Sequence, residues 1–111
     1  MSPRDHAFLA KVGTLCEGYP LRGQVDSDDP IICAKLYWPI GDARWYIAGY
    51  NPETYVAHGF VTGVGGDKWG YFSVASLLET RIAGVMPAKL DEDFTPVRAS
   101  MLGITHRAAS S

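Results

Sequence analysis

The chain has 111 residues, 47% hydrophobic and 20% charged, and its formal net charge is −2. This composition argues against a wholly disordered chain, and 10 basic against 12 acidic residues without a basic run argue against a nucleic-acid binder, leaving only a local basic patch open to that role. No apolar run approaches the roughly 20 residues of a membrane span, the N-terminus lacks the layout of a signal peptide, and Cys16 and Cys33 fit neither a CxxC pair nor a zinc pattern, so the expectation is a cytoplasmic protein with both thiols free.

The length suits one domain, placed at residues 1–106, with 107–111 as a disordered tail. A helix opens the chain. Ser2 is positioned to cap it, Pro3 suits its first turn, and Phe8, Leu9, Val12, Leu15 and Cys16 fall at helical spacing. Gly18 and Pro20 end it. Asp26-Ser27-Asp28-Asp29-Pro30 follows as a turn-rich loop. It lacks the alternating ligands and distant glutamate of a calcium loop, so a solvated loop is expected.

Four strands come next, near Ile31–Trp38, Arg44–Tyr50, Tyr55–Thr62 and Lys68–Phe72. Alternation along the first places Ile32, Ala34, Leu36 and Trp38 on one face, with Ile31, Cys33, Lys35 and Tyr37 on the other. Short links favour an antiparallel meander. A second helix begins after Ser73, with Val74, Leu77, Leu78 and Ile82 on one face and Gly84 at its end. Leu90–Phe94 reads as a short edge strand, and Thr95-Pro96 as the cap of a last short helix or plain coil. The fold class is therefore α+β: a small antiparallel sheet of about four strands covered by two helices. Trp38, Trp45, Phe60 and Phe72 are its expected core. Which sheet face the helices cover stays open, because both faces carry large apolar groups.

The middle of the chain carries a recognisable order of motifs. Ala34-Lys35-Leu36-Tyr37-Trp38-Pro39 is followed by Trp45-Tyr46, Tyr50-Asn51-Pro52-Glu53, Gly59-Phe60-Val61-Thr62-Gly63, then Trp69-Gly70-Tyr71-Phe72-Ser73-Val74 and Leu77. This order resembles a bacterial family of small proteins of unknown function found on plasmids, integrated elements and phages. Its core reads K-L-F-x-P, W-Y, aromatic-D-P, G-x-x-x-G and E-x-G-Y-F-S-L-x-E-L. The resemblance implies a compact α+β fold and a mobile-element setting, and no activity. Several family acids are replaced here. Lys68, Gly49 and Ser76 stand where glutamates are usual, Asn51 stands for an aspartate, and Lys89-Leu90-Asp91 keeps only the last residue of an acid-arginine-aspartate step.

No catalytic signature emerges from the residues. His6, His58 and His106 lack metal-ligand spacing. Cys16 and Cys33 sit on apolar faces and read as small core hydrophobes. Ser73 is a helix cap and not the centre of a G-x-S-x-G elbow. Gly63-Val64-Gly65-Gly66 leads into a strand, unlike a phosphate loop. The run Asp91, Glu92, Asp93 reads as charge protecting a sheet edge. Neither a metal nor a cofactor is implied.

The aromatics are the suggestive feature. Tyr37, Tyr46 and Tyr50 are expected on the outer face of the sheet, with Trp69 or Tyr71 beside them. Such a face serves either to bind a partner or merely to stabilise the sheet through cross-strand pairs. The leading expectation is a non-enzymatic protein-binding module of a mobile genetic element, acting on a host protein such as a defence component, or self-associating as a homodimer. Two further readings stay open. One is a small enzyme acting on a nucleotide or small molecule through Asp91, Glu92, Asp93 and His58. The other is a single-stranded nucleic-acid binder using the aromatic face with Lys35, Arg44 and Lys68.

Overall fold

The computed structural model describes residues 3–63, 66–79 and 88–104. Helix α1 spans Pro3–Leu15 and buries Leu9 and Val12. Its last turn continues into Cys16, whose amide donates to the Val12 carbonyl, and Gly18 leaves it at a φ of 88°. Ser2, Ile82, Gly84, Pro87, His106 and the tail expected at 107–111 lie outside the described residues.

The strands are β1 (Ile31–Ile32), β2 (Ala34–Tyr37), β3 (Arg44–Asn51), β4 (Val56–Thr62) and β5 (Lys68–Ser73), followed by helix α2 (Val74–Glu79), β6 (Lys89–Leu90) and β7 (Val97–Arg98). The four expected strands form the meander. The sheet nevertheless has five members in the order β5-β4-β3-β2-β6, all antiparallel, because β6 pairs with β2. A separate two-stranded ribbon joins β1 to β7. Thr95-Pro96 therefore leads into a strand, not a helix. The 3-10 turn Ala99–Leu102 comes only after β7. Asp29 caps that turn, accepting from the Ser100 amide at 2.8 Å and the Ser100 hydroxyl at 2.7 Å. One acid of the polar loop is thus a structural clamp between distant parts of the chain.

Two irregularities decide which side chains face which way. The first expected strand breaks at Cys33, whose amide donates to the Ile47 carbonyl between β1 and β2. Ile32 therefore joins one core while Cys33, Ala34 and Leu36 join another. The second is a bulge in β3. Ile47 pairs with Gly59, but the next β4 residue, His58, pairs with Gly49, which leaves Ala48 extra. An added residue inverts the alternation beyond it. Tyr46 and Tyr50 consequently lie on opposite faces of the sheet.

The larger core lies on the face covered by both helices. Leu36, Trp45, Ile47, Tyr50, Ala57 and Val61 from the sheet meet Leu9, Val12, Val74 and Leu78 from the helices. Trp38 packs edge-on against Trp45 at 5.1 Å, and Phe72 adds to this core. Phe60 does not. It belongs to a smaller core on the opposite face, where Ile32, Ala48, Ala99 and Ile104 are buried against Tyr46, Phe60, Trp69 and Phe94.

The family-like motifs have local steric reasons. A Cβ at Gly59 would stand 1.8 Å from the Tyr46 carbonyl oxygen, and one at Gly63 would stand 2.4 Å from the Asp42 carbonyl oxygen. The G-x-x-x-G spacing thus marks two places where β3 and its preceding turn approach the β4 backbone. At the next turn, Asn51 accepts from the Glu53 amide with its side-chain oxygen at 2.8 Å. An asparagine serves this Asx turn as an aspartate would. At the step into α2, Ser73 accepts from the Ser76 amide at 3.1 Å, the expected N-cap.

Candidate functional site

The side chains on the sheet face away from α1 follow from register. Lys35 opposes Tyr46, Tyr46 opposes Phe60, and Phe60 opposes Trp69. One row over, Gly49 opposes His58, which opposes Tyr71, and at the far end Tyr37 opposes Arg44. This face therefore gathers four of the five aromatics singled out in the sequence: Tyr37, Tyr46, Trp69 and Tyr71. The fifth, Tyr50, is 3% exposed beneath α1, where its hydroxyl donates to the Leu9 carbonyl at 3.5 Å. Burial first, then the neighbouring Cys16 and Tyr55, push its phenol up to about 12. Tyr50 is a core residue because of the Ala48 bulge.

The face is only partly open. The segment ending at Ile104 covers Tyr46, Phe60 and Trp69. Tyr71 stays outside this cover and is 51% exposed. Its ring stands 5.3 Å from that of His58, and Arg22 donates to its hydroxyl at 3.4 Å. His58 is buried between Trp69, at 5.8 Å, and Tyr71. Strand β5 also forms one end of the sheet order, so no strand of the described residues lies beyond it.

The cations proposed to rim the face are dispersed. The Lys35 amine lies 5.7 Å from the centre of the Tyr46 ring and 3.8 Å from Asp91. Arg44 lies over Tyr37 at 5.7 Å and donates to the Ala43 carbonyl. Lys68 opposes Val61, a residue of the larger core, and so falls on the other face.

The acidic run lies at the opposite end of the sheet from His58. The strand it follows, β6, is separated from β4 by β2 and β3, which is roughly 14 Å at ordinary strand spacing. Asp91 pairs with Lys35 and accepts from the Asp93 amide at 3.0 Å, and Glu92 pairs with Lys11. The structure does not bring these acids to the histidine. Among the described residues no three His, Cys, Asp or Glu side chains converge, and no helix is long and apolar enough to cross a membrane.

Two features here leave no trace in residue order. The place of β5 at one end of the sheet order among the described residues depends on β6 adding at the far side. The meeting of Cys16 with Cys33, whose sulfurs lie 2.9 Å apart, joins the end of α1 to the sheet across 17 positions.

No curated protein and no solved structure matches the chain. Residues 10–109 match the family described as "Protein of unknown function (DUF2958)", and the chain belongs to that family.

Proposed function

We propose that this chain is a non-enzymatic protein-binding module of a mobile genetic element, acting on a host protein such as a defence component. The observation that carries the reading is Tyr71, half-exposed on strand β5, whose outer side has no strand beside it among the described residues. An open strand edge offers unpaired amides and carbonyls for an added strand, and an aromatic side chain beside it offers an anchor. His58, itself packed against Trp69, stands beside the Tyr71 ring, and Arg22 supplies a positive neighbour. The mobile-element setting rests on the motif resemblance. A homodimer through the same edge belongs to this reading as one form the partner takes.

The nucleic-acid reading is less favoured, because Lys35 and Arg44 are engaged within the chain and Lys68 falls on the other face. The enzyme reading is less favoured because His58 and the acids occupy opposite parts of the sheet. The test is affinity capture from the native host with tagged protein, identified by mass spectrometry. Tyr71→Ser removes the anchor, while Met101→Ser changes an apolar residue elsewhere that is more exposed still. A protein kept by the wild type and by Met101→Ser but lost by Tyr71→Ser supports the reading. Capture indifferent to Tyr71, or none above background, defeats it.

A further inference from the structure

Cys16 and Cys33 are both reduced and both buried, at 5% and 1% exposure. The Cys33 thiol lies within hydrogen-bonding distance of Cys16 at 2.9 Å and of the Ile47 carbonyl at 3.3 Å. Moving the sulfurs to the roughly 2.05 Å of a disulfide takes about 0.9 Å. The two thiols are not equally placed. Cys16 lines a surface pocket of about 390 Å³ together with Gly18, Tyr19, Leu21, Tyr50 and Pro52. Cys33 lies behind it, enclosed by the sheet.

We infer that Cys16 and Cys33 form a reversible intramolecular disulfide when the folded protein meets hydrogen peroxide or a similar small peroxide. The peroxide enters by the pocket. The Cys16 sulfur attacks one peroxide oxygen, the O–O bond breaks, and the products are a Cys16 sulfenic acid and water. The Cys33 sulfur then attacks the Cys16 sulfur, the S–O bond breaks, and the hydroxyl leaves as water with the Cys33 proton. Two thiols lose two electrons in all, and one peroxide is reduced to two waters.

The hydrogen-bonded Cys33 thiol, then burial, hold the Cys16 thiol above its ordinary range. The reaction is therefore slow at neutral pH and faster at alkaline pH. The bond closes a loop over 17 positions that carries the whole link from α1 to the sheet. Restricting that loop in the unfolded chain raises stability.

The test treats the intact protein with hydrogen peroxide, quenches it, denatures it and alkylates free thiols. The wild type is expected to lose the mass of two hydrogens, to take up no alkylating agent and to stay monomeric. Its Tm is expected to rise by roughly 10 °C, reversed by dithiothreitol. Cys33→Ser is expected to hold a dimedone-reactive sulfenic acid at Cys16, and Cys16→Ser to leave Cys33 unmodified. Two alkylatable thiols after treatment, sulfinic or sulfonic acid as the main product, or a disulfide-linked dimer would each overturn the inference. The wild-type mass decides the matter even where a serine variant fails to fold.

Discussion

Replacing Gly59 by alanine tests the close approach of β3 and β4. The added Cβ would meet three backbone atoms: the Tyr46 oxygen at 1.8 Å, the Tyr46 carbonyl carbon at 2.9 Å and the Ile47 Cα at 3.1 Å. Backbone cannot swing aside as a side chain can. Restoring about 3 Å requires β3 to move by about 1.2 Å in the middle of the sheet, beside its bulge. Overpacking in a core costs roughly 1–3 kcal/mol, and here the displaced atoms belong to a hydrogen-bonded ladder. The expected loss is about 3 kcal/mol, out of the roughly 5–15 kcal/mol that holds a domain together. Tm would fall by roughly 12 °C.

Gly70 is the control, because it faces Gly59 across the β4–β5 pair and has no atom within 4 Å of its would-be Cβ. Gly70→Ala is expected to be neutral or to stabilise by up to about 1 kcal/mol. Urea unfolding followed by far-UV circular dichroism measures both. Equal midpoints for the two variants would refute the argument from steric contact.

Ser73→Ala removes the acceptor for the Ser76 amide and is expected to cost about 1 kcal/mol in the same assay, with Ser73→Asp retaining most of it. Stability should also vary with pH at both extremes. Tyr50 is raised from 10.0 to about 12 in the fold, so its contribution is full below pH 10 and is lost as pH climbs from 10 towards 12. Thermal melts across that interval should fall for the wild type and less for Tyr50→Phe. Asp29 is lowered, first by the Ser100 hydroxyl and then by the Ser100 amide, so its contribution is present above its ordinary value of 3.8 and disappears as acid takes pH below that range. Asp29→Asn should be less stable than wild type at neutral pH, and the difference should narrow in acid.

Local features were legible without the fold. The helix from Pro3 follows from its apolar spacing, the Ser73 cap from the serine before an apolar run, and the four meander strands from turn residues between aromatic segments. These depend on interactions over a few positions, which residue order records directly. The family resemblance in residues 31–78 belongs here too, since its glycines and turn residues answer to local backbone needs.

Facing was a different matter. Alternation is counted from one end of a strand, so a single added residue reverses everything after it. The Ala48 bulge sends Tyr50 into the core and keeps Tyr46 outside, and the break at Cys33 does the same to Ile32 and Ala34. Nothing in the sequence marks either place, because both result from β3 fitting against two neighbours at once. Only long-range pairing makes β5 an edge, places β6 beside β2, and brings Cys33 to Cys16. The sequence by itself determined the first helix, the strands of the meander and the Ser73 cap. The tertiary structure decided which aromatic is exposed and which is core, because that choice depends on contacts between segments that residue order holds far apart.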